Sequence, residues 1–199
     1  MVKRNYVRVY ILPPNSANNK RDWKMKNNIE VLKKIVDKKN KKLELNFLYS
    51  TGKHLIATDT ARLMILDNEG TDTDLYIDVR NNNLSQYMPT EISQFEGILS
   101  AKVKGFKYPE WERILPSENA LASDFENIEL DDEDSNITIC TIASKGYLFN
   151  VKFIQDLFHK KVNLEDLRLY YRDNTKLPFV IKGKMNGYSF SYVVAIIMP

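Results

Sequence analysis

Apolar and polar positions alternate with period two along most of this chain, and take helical spacing in only two stretches. RNYVRVYIL (4–12) alternates and predicts a strand. Asn27 or Asn28 can cap a helix over IEVLKKIVDKKN (29–40), where Ile29, Leu32, Ile35 and Val36 form one apolar stripe and Lys33, Lys34 and Lys38 lie away from its centre. Three strand-like runs follow, KLELNFLYS, HLIATD and ARLMILD, joined by the turn signal Thr51-Gly52-Lys53 and a sharper break near Asp59. DLYIDV (74–79) predicts another strand, MPTEISQFEGIL (88–99) a short helix opening on Pro89, and SAKVKG an extended run.

The same order returns later. NITICTI predicts a strand, and YLFNVKFIQDLFHKK (147–161) a helix with Val151, Ile154, Leu157 and Phe158 inward and Lys152, Asp156 and His159 on the other side. DLRLYYRD, LPFVIKG and YSFSYVVAIIMP are three further strands. A strand, helix, three-strand unit therefore occurs twice, without sequence identity between the copies. The expected class is α+β, with antiparallel sheets and two main helices.

Composition narrows the function classes. The 199 residues suffice for one large domain or two small ones, and 43% hydrophobic with 28% charged residues is the balance of a folded globular chain. Cys140 is the only cysteine, which excludes an internal disulfide and a cysteine-based zinc cluster and fits a reducing, intracellular setting. The first apolar run is interrupted by Arg8 and stopped by Pro13 and Pro14, which argues against a signal peptide, and no segment approaches the ~20 apolar residues of a membrane helix. A soluble, cytoplasmic protein is expected. Charge is uneven: residues 1–60 hold 14 Lys or Arg against 5 Asp or Glu, whereas 118–134 hold eight acids and no base. The acidic run reads as solvated surface; the basic part suits a polyanion.

Catalytic signals are missing. No nucleophile motif, phosphate-binding glycine loop or metal-ligand cluster is present. His54 and His159, the only histidines, read as surface or strand residues, and the contiguous DDED at 131–134 as a solvated turn, its acids lacking the spacing of a calcium loop. The eleven Tyr and two Trp could stack on single-stranded bases, yet they fall at alternating strand positions that usually face a core. The expectation is a non-enzyme with no cofactor, no metal and no catalytic residue.

One stretch resists a secondary-structure reading. YPEWERILP (108–116) carries two aromatics and two aliphatics in a segment that proline interrupts near its start and closes at its end. It resembles the F-P-D-Y-x-R-V-I/L-P segment of the bacterial β sliding clamps, the processivity rings of replicative polymerases. IATDTARLMI (56–65) is similar to their A-T-D-G-H-R-L-A segment and SYVVAIIMP to their closing Y-V-V-M-P-M strand. SAKVKGFKYP and YLFNVKFIQDLF fit the same family order. The resemblance covers about 27–67 and 89–199.

The resemblance implies a DNA-clamp-like fold in a shortened chain, with lobes at 1–116 and 117–199 or one merged domain. It implies a pocket for short linear peptides of a replicative DNA polymerase or the clamp loader, one wall being Thr58, Thr60, Arg62 and Leu63, the floor Pro116 after Ile114 and Leu115, and the strand side Val194, Ala195 and Ile196. Leu63→Asp and Ile114→Asp are each expected to weaken such a peptide and leave the fold intact. It further implies a ring of identical copies around double-stranded DNA, with Lys33, Lys34, Lys38, Lys152 and Lys160 toward phosphate without reading sequence. Two departures bear on partner choice: Thr60-Ala61 stands where the family has Gly-His, and Ala195-Ile196-Ile197 replaces the family's Met-Pro-Met. A non-encircling adaptor or competitor that uses only the peptide pocket is the alternative, and a sheet-based single-strand binder a third reading.

Overall fold

The computed structural model describes residues 19–37, 39–68, 72–115, 121–124, 129–131, 137–142, 145–172 and 177–195. The strand expected at 4–12 and the residues Lys38, Pro116 and Ile196 lie outside them.

The first described element is helix α1 (Asn19–Ile35). It begins well before the cap expected at Asn27 or Asn28, because those two asparagines are buried inside the helix. Asn28 donates to the Met185 carbonyl (3.2 Å) and its own side-chain oxygen accepts from Asn186 (2.7 Å). An asparagine able to cap is here a tertiary partner. Ile29, Leu32, Ile35 and Val36 are all buried, as the stripe predicts.

Strands β1 (Leu48–Thr51), β2 (His54–Thr58), β3 (Arg62–Asp67) and β4 (Thr73–Ile77) follow, with a 3-10 turn at Leu43–Asn46 where a strand was expected. The helix expected at 88–99 is instead a hairpin of β5 (Pro89–Phe95) and β6 (Ile98–Val103). Glu96 and Gly97 both have positive φ (52° and 77°), the geometry of a two-residue turn that matches strand twist. Pro89 was read as a helix start, but the Glu-Gly turn decides the element.

Strands β7 (Leu121–Asp124), β8 (Glu129–Asp131), β9 (Ile137–Ile142) and β10 (Lys145–Asn150) precede helix α2 (Val151–Leu157), whose cap Asn150 accepts from the Lys152 amide. The predicted helix loses its first turn to β10. Within α2, Ile154 and Leu157 are buried as expected, but Asp156 is buried and Phe158, just past the end, is half exposed, so these two exchange their predicted sides. Strands β11 (Leu164–Tyr171), β12 (Phe179–Met185) and β13 (Tyr188–Val194) complete the described order.

Ten strands form one antiparallel sheet in the order β5-β6-β4-β1-β2-β3-β13-β12-β11-β7, and β10-β9-β8 a second. The two halves of the chain meet at the β3–β13 pairing. Strand alternation sorts this seam into two layers. Met64, Leu66, Phe190, Tyr192 and Val194 join the helix side with Leu32, Ile35, Ile154 and Leu157. Leu63, Ile65 and Val193 face the opposite side, which is covered by irregular chain: Leu45, Phe47, Leu84 and Tyr108, with Phe106, Trp111 and Leu115 packed against them.

Candidate functional site

The site is built where β2 turns into β3. Asp59 closes this turn: its Oδ1 accepts from the Ala61 and Arg62 amides (3.1 and 2.9 Å) and its Oδ2 from Arg62 Nε (2.8 Å). The Thr58 hydroxyl donates to the Arg62 carbonyl (2.7 Å) and accepts from the Thr60 amide (3.2 Å). Thr60 therefore sits at φ 77°, where a β-branched residue is strained. Glycine is the residue that the clamp pattern has here.

Pairing then delivers the C-terminal strand. Val194 is the partner of Arg62 and Val193 of Leu63, and the Ala195 amide donates to the Ala61 carbonyl (2.9 Å). Thr58, Thr60, Arg62, Leu63, Val194 and Ala195 are thus brought together by backbone register. Their side chains divide. Arg62 (7% exposed) and Val194 (0%) are buried on the helix side, and Leu63 (3%) on the other. Exposed or half-exposed groups at this end are Thr58, Thr60 and Ala195; on the segment that packs over the outer layer Leu115 is half-exposed and Ile114 45% exposed. The expectation that Leu63→Asp leaves the fold intact is corrected: Leu63 lies in a core cluster with Ile56, Val193 and Tyr108.

YPEWERILP proves to be a strap over the outer layer. Tyr108 is buried, stacks on Tyr49 (centroids 4.6 Å) and reaches the Ile56 carbonyl with its hydroxyl (3.3 Å). Trp111 meets His54 edge-on, while His54 Nδ1 lies 3.2 Å from Asp67. Burial pushes the Tyr76 hydroxyl up to about 12, and that of Tyr108 higher still, so these phenols stay protonated in the wall. Leu115 packs inward and Ile114 stays out.

Arg62 is the polar hub that sequence reasoning placed as a pocket wall. Its Nη1 donates to Asp156 of α2 (2.7 Å), its Nη2 to the Lys34 carbonyl at the end of α1 (2.9 Å), and its guanidinium lies over the Phe153 ring (4.8 Å). Burial opposes the charge, but Tyr192, Asp156 and Asp59 outweigh it and hold the pKa above the usual arginine range. One side chain thus fastens the turn to both helices. The Asp59–Arg62 spacing is visible in the sequence; Asp156 is 94 residues away from Arg62 and is not.

On the helix layer Lys33 and Lys34 are half-buried and Lys152 and Lys160 exposed. Lys34 Nζ lies 3.4 Å from Asp156 Oδ1. His159 is held below the usual histidine range by burial, then by Lys34 and Lys161, with Lys160 acting in the same direction. The end of α1 and residues 159–161 therefore form one basic patch, to which His159 and Lys161 were not assigned from sequence. Among the described residues no group of acids, histidines or cysteines could hold a metal, and no helix is long and apolar enough to cross a membrane.

No protein-family model matches this sequence, and no curated protein matches it. Solved structures do. The Bacillus subtilis DNA polymerase sliding clamp superposes with a TM-score of 0.56 at 12% identity, covering 96% of this chain and 67% of the clamp. The fold is that of the bacterial β sliding clamps. The Helicobacter pylori β clamp bound to a DNA ligase peptide gives a TM-score of 0.55 at 16% identity over 88% of this chain and 63% of that one. The Streptococcus pneumoniae DNA polymerase III β chain gives 0.55 at 15%, over 88% and 63%. This chain spans about 64% of the length of the H. pylori clamp in another of its structures, and the clamp-like α+β architecture is carried by that shortened length.

Proposed function

We propose that this protein is a shortened sliding clamp, a non-enzymatic replication processivity factor whose copies close into a ring on duplex DNA and hold short peptides of a polymerase or loader. The observation that carries the reading is the β3–β13 seam in a clamp fold. It brings the Asp59 turn beside the closing strand and sets both helices, with their basic patch, on one face. A peptide would use the accessible groups at the seam's end, Thr58, Thr60 and Ala195, together with Ile114 and Leu115 of the strap and, as the clamp resemblance implies, Pro116 and Ile196. Arg62, Leu63 and Val194 would hold that surface in shape from beneath. Such a preformed notch spares a peptide the cost of ordering its site. Lys33, Lys34, Lys152 and Lys160, with Lys38, would meet phosphate without sequence preference. In this reading the lobes 1–116 and 117–199 are fused through the seam.

The test is retention on DNA. Bound to nicked circular plasmid, the protein should stay at high salt and be lost when the circle is linearised; equal loss from both forms, with a monomeric mass at all concentrations, would refute the ring. For the peptide site, Ile114→Asp should weaken a synthetic peptide carrying adjacent Leu and Phe at least tenfold, about 1.4 kcal/mol, with an unchanged melting temperature. Unaltered affinity would refute the site. The exposure of Ile114, Thr60 and Ala195 needs no ring closure, which favours a second reading, a non-encircling adaptor or competitor. That reading predicts Ile114-dependent peptide binding without retention on circles.

A further inference from the structure

The outer layer carries a second surface, on the face of the sheet opposite the helices. Tyr49 of β1 and Tyr76 of β4 are direct partners across the strands. The chain after β6 returns two more rings onto them: Tyr108 stacks on Tyr49 (centroids 4.6 Å) and Phe106 meets Tyr76 edge-on (5.1 Å). These four rings line one cavity of about 430 Å³. Tyr76 and Tyr108 are buried, whereas Tyr49 and Phe106 are half-exposed, so aromatic surface stays open at the mouth.

The charge around that mouth is lopsided. Lys104 and Lys107 also line the cavity, are exposed, and have no ion pair among the described residues. Lys102 is held by Glu91 (2.9 Å). Asp74 is the only carboxylate in the wall among the described residues, and the Tyr49 hydroxyl donates to it (2.6 Å). Next along the chain stands Met88, just before β5, whose Pro89 pairs with Val103 at the end of β6. Met88 is 84% exposed and sits at φ 55°. That backbone is strained for a side chain of this size, all the more before a proline, and so exposed a side chain packs on too little to offset the strain. Strain held without a structural return points to a contact surface.

We propose that this aromatic cavity, with Lys104, Lys107 and Met88, docks a linear peptide of a partner protein in which an aromatic side chain is flanked by acids. The ring enters against Tyr49 and Phe106, and the acids meet the two lysines. Single-stranded nucleic acid suits the cavity less, because bases stack on open ring faces in series and here Tyr49 and Tyr108 cover each other. The site requires neither a ring of subunits nor the peptide surface at the seam's end.

The experiment measures anisotropy of a short labelled peptide carrying one Phe within a run of Glu, against a control with Lys in place of Glu. Melting temperature is the check on folding. Wild type should bind the Glu peptide and not the control, with affinity falling as salt rises. Lys104→Glu combined with Lys107→Glu should weaken it at least about tenfold with an unchanged melting temperature. Asp74→Asn should tighten it roughly two- to fivefold by removing the opposing charge. Met88→Gly should weaken it severalfold while the melting temperature holds or rises, since glycine takes this φ without strain. Ile114→Asp should leave it unchanged, which separates this site from the one at the seam's end. Equal binding of both peptides by wild type, unaltered affinity in the folded lysine variant, or loss of affinity in Ile114→Asp would overturn the proposal. A thymidine oligonucleotide that binds more tightly than the Glu peptide, and is lost in the same lysine variant, would overturn the peptide and assign the surface to single strands.

Discussion

The two sides of the β3–β13 seam are held by different physics. On the helix side Arg62 makes directional bonds to Asp59, Asp156 and the end of α1, within an otherwise apolar layer. One residue along, Leu63 faces a layer of packed aliphatic and aromatic side chains, closed by Ile56, Val193, Tyr108 and the strap from Phe106 to Leu115. The first side fixes which elements meet and at what angle; the second excludes water. Residues adjacent in a motif can therefore serve different layers, and a motif-level pocket contains both surface and support.

The largest effect should come from placing a charge on the apolar side. Leu63→Asp puts an unpaired carboxylate among buried side chains, which costs several kcal/mol and should lower the melting temperature by at least about 10 °C. Ile114→Asp, half exposed on the same strap, should leave it unchanged. Calorimetry on the pair checks this, and equal melting temperatures would erase the distinction between support and surface.

On the polar side, Arg62→Ala strands Asp59 and Asp156 without their guanidinium partner. Breaking a buried ion pair from one side costs about 3–5 kcal/mol, so urea unfolding should register a loss of that order. A cost under about 1 kcal/mol would mean that apolar packing holds the helices and that the Arg62 network is incidental.

How much of this could be read beforehand depends on the range of each interaction. β2, β3, β4, β11, β12 and β13 were legible because period-two alternation is local, and the stripe on α1 because helical spacing is local. The β5–β6 hairpin was misread because Pro89 signals a helix start as well as an edge strand, and the Glu96-Gly97 turn was passed over. Asn28 was misread as a cap because its partners, Met185 and Asn186, lie at the far end of the chain. The candidate site divides likewise. The turn at Asp59 and its neighbours in the seam could be placed from the clamp resemblance, but the burial of Arg62 and Val194 depends on α2 and β13 arriving from elsewhere.

A gain should follow from relieving the turn itself. Thr60 holds φ 77°, which costs a non-glycine residue about 1–2 kcal/mol, while glycine brings an entropic penalty of about 0.5–1. Thr60→Gly should therefore stabilise by up to about 1 kcal/mol, read as a rise of a few degrees in melting temperature. A destabilised variant would mean that the Thr60 side chain contributes to the seam beyond its backbone.

The smallest effect tests the helix face by pH. Burial and then Lys34 and Lys161 hold His159 below the ordinary histidine pKa, so it is neutral at pH 7.5. In the free protein the unfolded chain binds this proton first. The neutral form therefore favours folding above the unfolded pKa of about 6.5, and that contribution is lost as pH falls through the lower folded value. A phosphate against the same patch acts oppositely: it favours the charged imidazole, raises its pKa and takes up a proton on binding. Duplex affinity should consequently rise as pH falls from 8 to 6, and His159→Gln should flatten that rise, with anisotropy at constant ionic strength as the measurement. The two trends separate the free and bound states of one side chain. If His159→Gln keeps the full pH dependence, the patch around Lys34, Lys160 and Lys161 does not face the duplex, and the basic groups of the helix layer lose their assigned partner.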